Sequence, residues 1–206
     1  LDTSSDNSGS DGDKVITACV KDRAGNVGKG TSSIGLDRKN PGGTLVLAGG
    51  SSHTRSTSIE VSVTNADSDV AQMAISSLAI TCATASTVGF NPRTLFALSG
   101  IDGEKTVNVC LKDRAGRSTL LSGTIVLDTT APAGSLTIAR ADGSAGDFTS
   151  ARSVNISGSG NEAIVYALAN EGLDCSSATY GSTFSTTFSG VAFDLFDQDG
   201  LRTVKA

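Results

Sequence analysis

Hydrophobic and polar residues alternate over short stretches of this 206-residue chain. Ile59, Val61 and Val63 alternate with Glu60 and Ser62; Val107, Val109 and Leu111 alternate with Asn108, Cys110 and Lys112. A period of two puts one set on a buried face and the other outside, as in a half-buried strand. The pattern predicts strands at 45–47, 59–63, 70–75, 78–82, 95–98, 106–112 and 123–127. Ala-Gly-Asn and Ala-Gly-Arg supply turn signals after the strongest of them. Short strands separated by turns predict an all-β, two-sheet antiparallel sandwich.

The pattern also repeats. Residues 11–26 read DGDKVITACVKDRAGN, and 91 residues later (Asp11 to Asp102) residues 102–117 read DGEKTVNVCLKDRAGR. A third copy opens at Asp199 as DGLRTVKA. A second element, GLDRKNPGGTLVLAGG from Gly35, returns as LDTTAPAGSLTIARADG from Leu127. Each has an Asp, a Pro four residues on, a Gly and then an alternating stretch. Such a period is too long for a solenoid coil and suits one small sandwich per repeat. Pro41 and Pro132 fall where a stiff linker between units is expected. Cutting at these segments gives 1–36 as the tail of a unit, 37–128 as a complete unit, and 129–206 as a unit lacking its last strands. The expectation is a piece of a longer repetitive protein. In the alternative, segment 1–36 completes the unit at 129–206 by strand exchange, within one chain or head to tail between chains.

Composition narrows the class. No apolar run is long enough for a membrane helix. Net charge is −5 with a pI near 4.8, which argues against a nucleic-acid binder working through a basic face. Leu, Glu, Lys and Gln are sparse beside 29 Ser and 23 Thr, so a helix bundle is not expected. The chain holds one His, His53, in a polar stretch read as a loop. No P-loop motif occurs. No catalytic constellation can be named, and the expectation is that the chain is not an enzyme.

The four cysteines are regularly placed. Cys19 and Cys110 occupy one position in successive repeats, and Cys82 and Cys175 occupy another. This predicts one disulfide per unit, Cys82 to Cys110 in the middle one, and an oxidising compartment. Cys19 and Cys175 then have partners outside the chain, or pair with each other. Cys110 lies opposite Val107, Val109 and Leu111, so the bond is expected on the outer side, with the Cys82 loop folding over to reach it. The spacing and the lone His do not suit zinc.

The carboxylates offer calcium a second role beside turn formation. Asp37 and Asp128 sit at the junctions and Asp113, like Asp22, at the Asp-Arg-Ala-Gly turn; hard cations take such oxygens. Asp37, Asp113 and Asp128 are the calcium candidates. The competing role is capping of backbone N–H groups. Further acids cluster at Asp2, Asp6, Asp11 and Asp13, and at Asp194, Asp197 and Asp199. No other cofactor is expected. Asn155-Ile156-Ser157 matches a glycosylation triplet but sits in an alternating stretch. Phe184, Phe188, Phe193 and Phe196 are read as core.

The Asp-Gly-x-Lys-x-Val strand, the turn from Lys21 to Asn26, and the Leu-Asp-Thr-Thr-Ala-Pro junction from Leu127 to Pro132 resemble the bacterial Ig-like repeats of large cell-surface proteins. The resemblance implies tandem immunoglobulin-like sandwiches in secreted adhesins and surface fibres. The cysteines, and Arg117 where the first copy has Asn26, depart from the commonest pattern. The expected function is a non-catalytic spacer in a secreted or surface-anchored bacterial repeat protein, an adhesin or fibre stalk. Its expected partners are neighbouring repeats, and host or prey cell-surface glycans or proteins. The alternatives are a carbohydrate- or protein-binding adhesion module using loops such as 81–91, and a subunit polymerising by strand exchange.

Overall fold

The structure is a computed structural model that describes residues 10–170, 172–181, 183, 185–196 and 204. These residues carry strands and no α-helix, so none of their helices is long and apolar enough to cross a membrane. They fall into two compact units divided between Thr130 and Ala131. The boundary expected at 128/129 lies beside this division. The one expected at 36/37 falls inside the first unit.

The first unit opens with β1 (Gly12–Lys21) and β2 (Val27–Leu36), an antiparallel hairpin. A sandwich follows. Its smaller sheet orders β3 (Thr44–Leu47), β5 (Ser58–Thr64) and β8 (Arg93–Ala97), with β5 central. Its larger sheet runs β4 (His53–Thr54), β10 (Ser118–Leu127), β9 (Gly103–Asp113), β6 (Val70–Ser76) and β7 (Val88–Gly89). The pairs are antiparallel except β4, which runs parallel to the end of β10. Two facing sheets of this kind make an Ig-type sandwich.

The alternation places the core. Leu47, Ile59, Val61 and Val63 face inward from one sheet, and Met73, Val107, Val109, Leu111, Ile125 and Leu127 from the other. Gly43 sits against this core: a Cβ there would meet Val63 Cγ1 at 2.8 Å and Leu111 Cδ1 at 3.2 Å. Two expectations fail. Residues 78–82 form no strand; they cross the outer face of β9, where Asn108 Nδ2 donates to Leu78 O at 3.1 Å. His53 is not in a loop but in β4, because its backbone pairs with Val126.

The hairpin β1–β2 repeats β9–β10 in detail. Gly12 pairs with Leu36 as Gly103 pairs with Leu127, and both ladders run to the Asp-Arg-Ala-Gly turn without a shift. Gly12 and Gly103 share φ of 118°, which suits glycine at the strand entry. The covering differs. Ile16, Val20 and Ile34 are 64–67% exposed, whereas their counterparts Val107, Leu111 and Ile125 are 0–1% exposed.

The second unit contains β11 (Gly134–Arg140), β12 (Ser153–Ile164) and β13 (Ser185–Asp194), ordered like β3, β5 and β8. Val154, Ile156 and Val204 form its core, with Leu168, Phe188 and Phe193 against them. Val204 aligns with Val107 of the middle copy. Phe188 also stacks on Tyr166 with centroids 4.0 Å apart. Phe196 is exposed, contrary to its reading as core, since it lies past the end of β13. Phe184 lies outside the described residues.

Candidate functional site

The linker after β2 is fastened to one end of the sandwich. Lys39 Nζ and the Gly42 N–H both donate to Asp67 Oδ2, at 3.0 and 2.9 Å. Lys39 and then the Gly42 N–H hold the Asp67 carboxyl below its ordinary range, and Asp67 in turn raises Lys39. Arg117 Nε donates to Asn40 Oδ1 at 3.2 Å. Pro41 is fully buried, whereas Pro132 is exposed. Before the linker, Asp11 accepts from the Arg38 N–H and its Nε. The equivalent Asp102 accepts from the N–H and hydroxyl of Thr129 and from the hydroxyl of Thr130. The repeated Asp-Gly motif therefore anchors the start of each linker.

Against this linker lies an acidic cluster. Asp37, Asp69 and Asp113 each offer a carboxylate oxygen, and these atoms all lie within 4.8 Å of one another. Asp37 follows β2, Asp69 precedes β6, and Asp113 ends β9. The register explains two of the positions. Val70 pairs with Asp113, and a bulge before Gln72 bends the start of β6 there. Two full charges at this distance repel by about 3–4 kcal/mol at an effective dielectric near 20. Buried oxygens sharpen the demand for a partner. Asp113 is 3% exposed and its Oδ2 has no hydrogen-bond partner; Asp69 Oδ1 is likewise buried and unpartnered. Oxygen donors without sulfur or imidazole suit hard cations.

Of the three calcium candidates, the structure brings Asp37 and Asp113 together and leaves Asp128 apart. Asp128 Oδ1 accepts the Thr130 N–H, as Asp37 Oδ1 accepts that of Lys39. Both thus perform the turn-capping role as well. Asp69 escaped the sequence reading, because only the pairing of β6 with β9 sets it beside Asp113. The acid-rich stretch from Asp67 to Asp69 is its only local signal. Asp2, Asp6, Asp197 and Asp199 lie outside the described residues.

Cys82 and Cys110 are bonded, with Cα atoms 5.4 Å apart. Cys110 sits on the outer side of β9, but the crossing loop covers it to 1% exposure. Cys19 and Cys175 are free and exposed. The loop at 81–91 is tied down: β7 pairs with β6, and the Thr87 hydroxyl donates to Gln72 at 2.8 Å. His53 Nδ1 lies 3.0 Å from the Ser52 hydroxyl. Asn155 Nδ2 donates to Ala141 O at 3.1 Å from within β12.

No family model and no curated protein sequence matches the chain. Among solved structures it is similar to the "tetra-tandem repeat in extending region of large adhesion protein", at 18% identity and a TM-score of 0.34. The match covers 95% of this chain and 55% of that one, so the chain spans about half of that structure. Likeness at this level carries no functional argument.

Proposed function

We propose that the chain is a non-catalytic spacer segment of a secreted or surface-anchored bacterial repeat protein, an adhesin or fibre stalk. The observation that carries this reading is the duplicated hairpin. β1–β2 and β9–β10 share register, turn and entry glycine, as expected of one sandwich type laid end to end. Asp11 and Asp102, at equivalent places, each bind the residues that follow their hairpin, a second mark of the repeat. The Cys82–Cys110 bond supports an extracellular setting, since such bonds persist in oxidising compartments. Binding to glycan and cell-surface protein arrays tests the assignment. A spacer gives no saturable binding. Saturable binding abolished by substitutions in 81–91 would replace this reading with an adhesion module.

Strand exchange between copies has its own observation. Cys19 aligns with Cys110 and Cys175 with Cys82, and both are exposed thiols. The bare hairpin face at Ile16, Val20 and Ile34 matches in register the face that β9–β10 buries. Exchange predicts concentration-dependent oligomers joined by a Cys19–Cys175 bond on non-reducing gels. Monomers at all concentrations would remove it.

A further inference from the structure

We propose that the hairpin β1–β2 docks on the second unit of another copy of this chain, in the register of β9–β10, and that a Cys19–Cys175 bond seals it. The proposal rests on the strand-exchange reading above and names its partner, its register and its lock. The donor is ready-made. Asp22 Oδ1 accepts the Asn26 N–H at 2.8 Å, as Asp113 Oδ1 accepts that of Arg117. Asn26 Nδ2 adds a bond to Asp22 Oδ2 at 2.7 Å, whereas Arg117 turns its Nε to Asn40. The bare hairpin thus has the more tightly closed turn. Its inward face is apolar at Ile16, Val20, Ile34 and Leu36. The first sandwich shows what covers such a face: the sheet β3–β5–β8, through Leu47, Ile59 and Val61.

The acceptor carries the same sheet, partly bare. Pairing of β11 with β12 matches that of β3 with β5, so Ile138, Val154 and Ile156 stand for Leu47, Ile59 and Val61. Leu47 is 7% exposed, whereas Ile138 is 43% exposed. Among the described residues no strand of the second unit takes the place of β9 or β10. Val204 holds the position of Val107 and yields it to Ile16 on docking. An open backbone edge is the second observation. In the first sandwich β4 lies beside the end of β10, where the Val126 and Asp128 N–H groups donate to Ser52 O and Thr54 O at 2.9 Å. The Thr54 hydroxyl accepts the Ser56 N–H at 3.1 Å; its counterpart in Thr149 accepts the Ala151 N–H at 3.0 Å. The same local turn is therefore built, but among the described residues no strand runs beside Thr149. The Gly35–Leu36 end of β2, equivalent to Val126–Leu127, fits that edge.

The cysteines are the third observation. The Cys82–Cys110 bond maps onto Cys175 and Cys19, both exposed thiols. The oxidant is a small-molecule disulfide such as oxidised glutathione. The Cys19 thiolate attacks one of its sulfurs and expels a thiol. The Cys175 thiolate then attacks the mixed disulfide at the Cys19 sulfur and expels the second, so two protein thiols are oxidised and one disulfide is reduced. The topology of the first unit points to another copy as partner. The linker from the hairpin meets the sandwich beside Arg117, at the start of β10, and the chain leaves after Leu127, at its end. The ten residues of β10 put about 33 Å between these points. Each copy then donates one hairpin and accepts one, and such head-to-tail contacts give linear assemblies.

The test is sedimentation of the whole 206-residue chain carrying Cys19→Ser, which spares the Cys82–Cys110 bond and separates docking from sealing. From micromolar to millimolar concentration it should pass from monomers to a series of multimers. Ile16→Asp and Val20→Asp, at exposed positions, should each weaken association tenfold or more. Val15→Asp is the control. Val15 is 68% exposed but lies on the opposite face of the hairpin, so association should change less than twofold. The chain with all its cysteines, incubated with oxidised glutathione, should give covalent multimers whose digests contain a Cys19–Cys175 peptide. Monomers at all concentrations overturn this proposal and the exchange reading together, and leave the spacer assignment standing. Multimers that survive Ile16→Asp and Val20→Asp, or whose digests lack the Cys19–Cys175 peptide, overturn the register and the seal alone. A Cys19–Cys175 bond confined to monomers overturns the second copy as partner.

Discussion

Reducing the Cys82–Cys110 bond should cost the first sandwich a large share of its stability. The bond spans 28 residues. In the chain-entropy model a loop of that size is worth roughly 3.6 kcal/mol at 25 °C. Whole domains are stable by only about 5–15 kcal/mol. A second loss separates from the first. Cys110 is almost wholly buried, so replacing both cysteines by Ala removes packed sulfur and adds about 1 kcal/mol. The expected order is oxidised protein, then reduced protein, then the Cys82→Ala, Cys110→Ala double variant. The probe must suit the chain. There is no Trp, and both tyrosines, Tyr166 and Tyr180, belong to the second unit. Tyrosine fluorescence would therefore report the wrong unit. Amide exchange at Val107 and Val109 in β9, followed through urea, reports the right one. Stretching gives an independent reading, because the intact bond should hide about 95 Å of contour length when the sandwich unfolds. Oxidised and reduced protein agreeing within about 1 kcal/mol would refute the claim that the bond acts by restricting the unfolded chain.

Three further outcomes follow from the same packing. Leu111→Ala should destabilise the first sandwich by about 2–5 kcal/mol, while Val20→Ala at the aligned hairpin position should stay within about 0.5 kcal/mol; denaturant midpoints decide it. Gly43→Ala should cost about 1–3 kcal/mol, because its Cβ would press on Val63 and Leu111, and thermal melting measures the loss. Asp102, held below its ordinary range first by the Thr129 hydroxyl, should grip the linker fully above the unfolded value near 3.8 and release it as pH falls through the lower folded value. The Thr129 amide shift should therefore titrate below pH 3.8, and Asp102→Asn should abolish that titration.

Alternation exposed the sandwich because a half-buried strand must show it. β5 and β9 were legible to within a few residues. Residues 78–82 misled for a physical reason: they form a crossing segment held by the Cys82–Cys110 bond and by Asn108 Nδ2 on the Leu78 carbonyl, and Leu78 itself stays exposed. The two-residue strand at His53 carries no period at all, so only the position of β10 reveals it. At the site, Asp37 and Asp113 were visible as a junction acid and a turn acid. Asp69 was not, because its neighbour is set by a strand register and a bulge rather than by spacing. Asp128 looked equivalent to Asp37 and is equivalent as a turn cap. In the second unit, however, Asn161 takes the place of Asp67: its Oδ1 accepts the Ala133 N–H and its own N–H donates to Ala133 O, as Asp67 does with Gly42. Two residues on, where the first unit has Asp69, the sequence of the second has Ala163.

That difference separates what the repeat holds fixed from what it leaves free. Core positions, entry glycine and ladder register are shared between the hairpins, because any change there propagates through a packed sheet. The residue closing the Asp-Arg-Ala-Gly turn touches little of that core, so Asn26 and Arg117 can differ without disturbing the fold. Yet this position decides whether the turn carboxylate is capped locally or left to neighbouring acids. Junction chemistry can therefore vary from unit to unit while each sandwich stays the same. Under the spacer proposal, the chemistry of each linker would then be set one junction at a time.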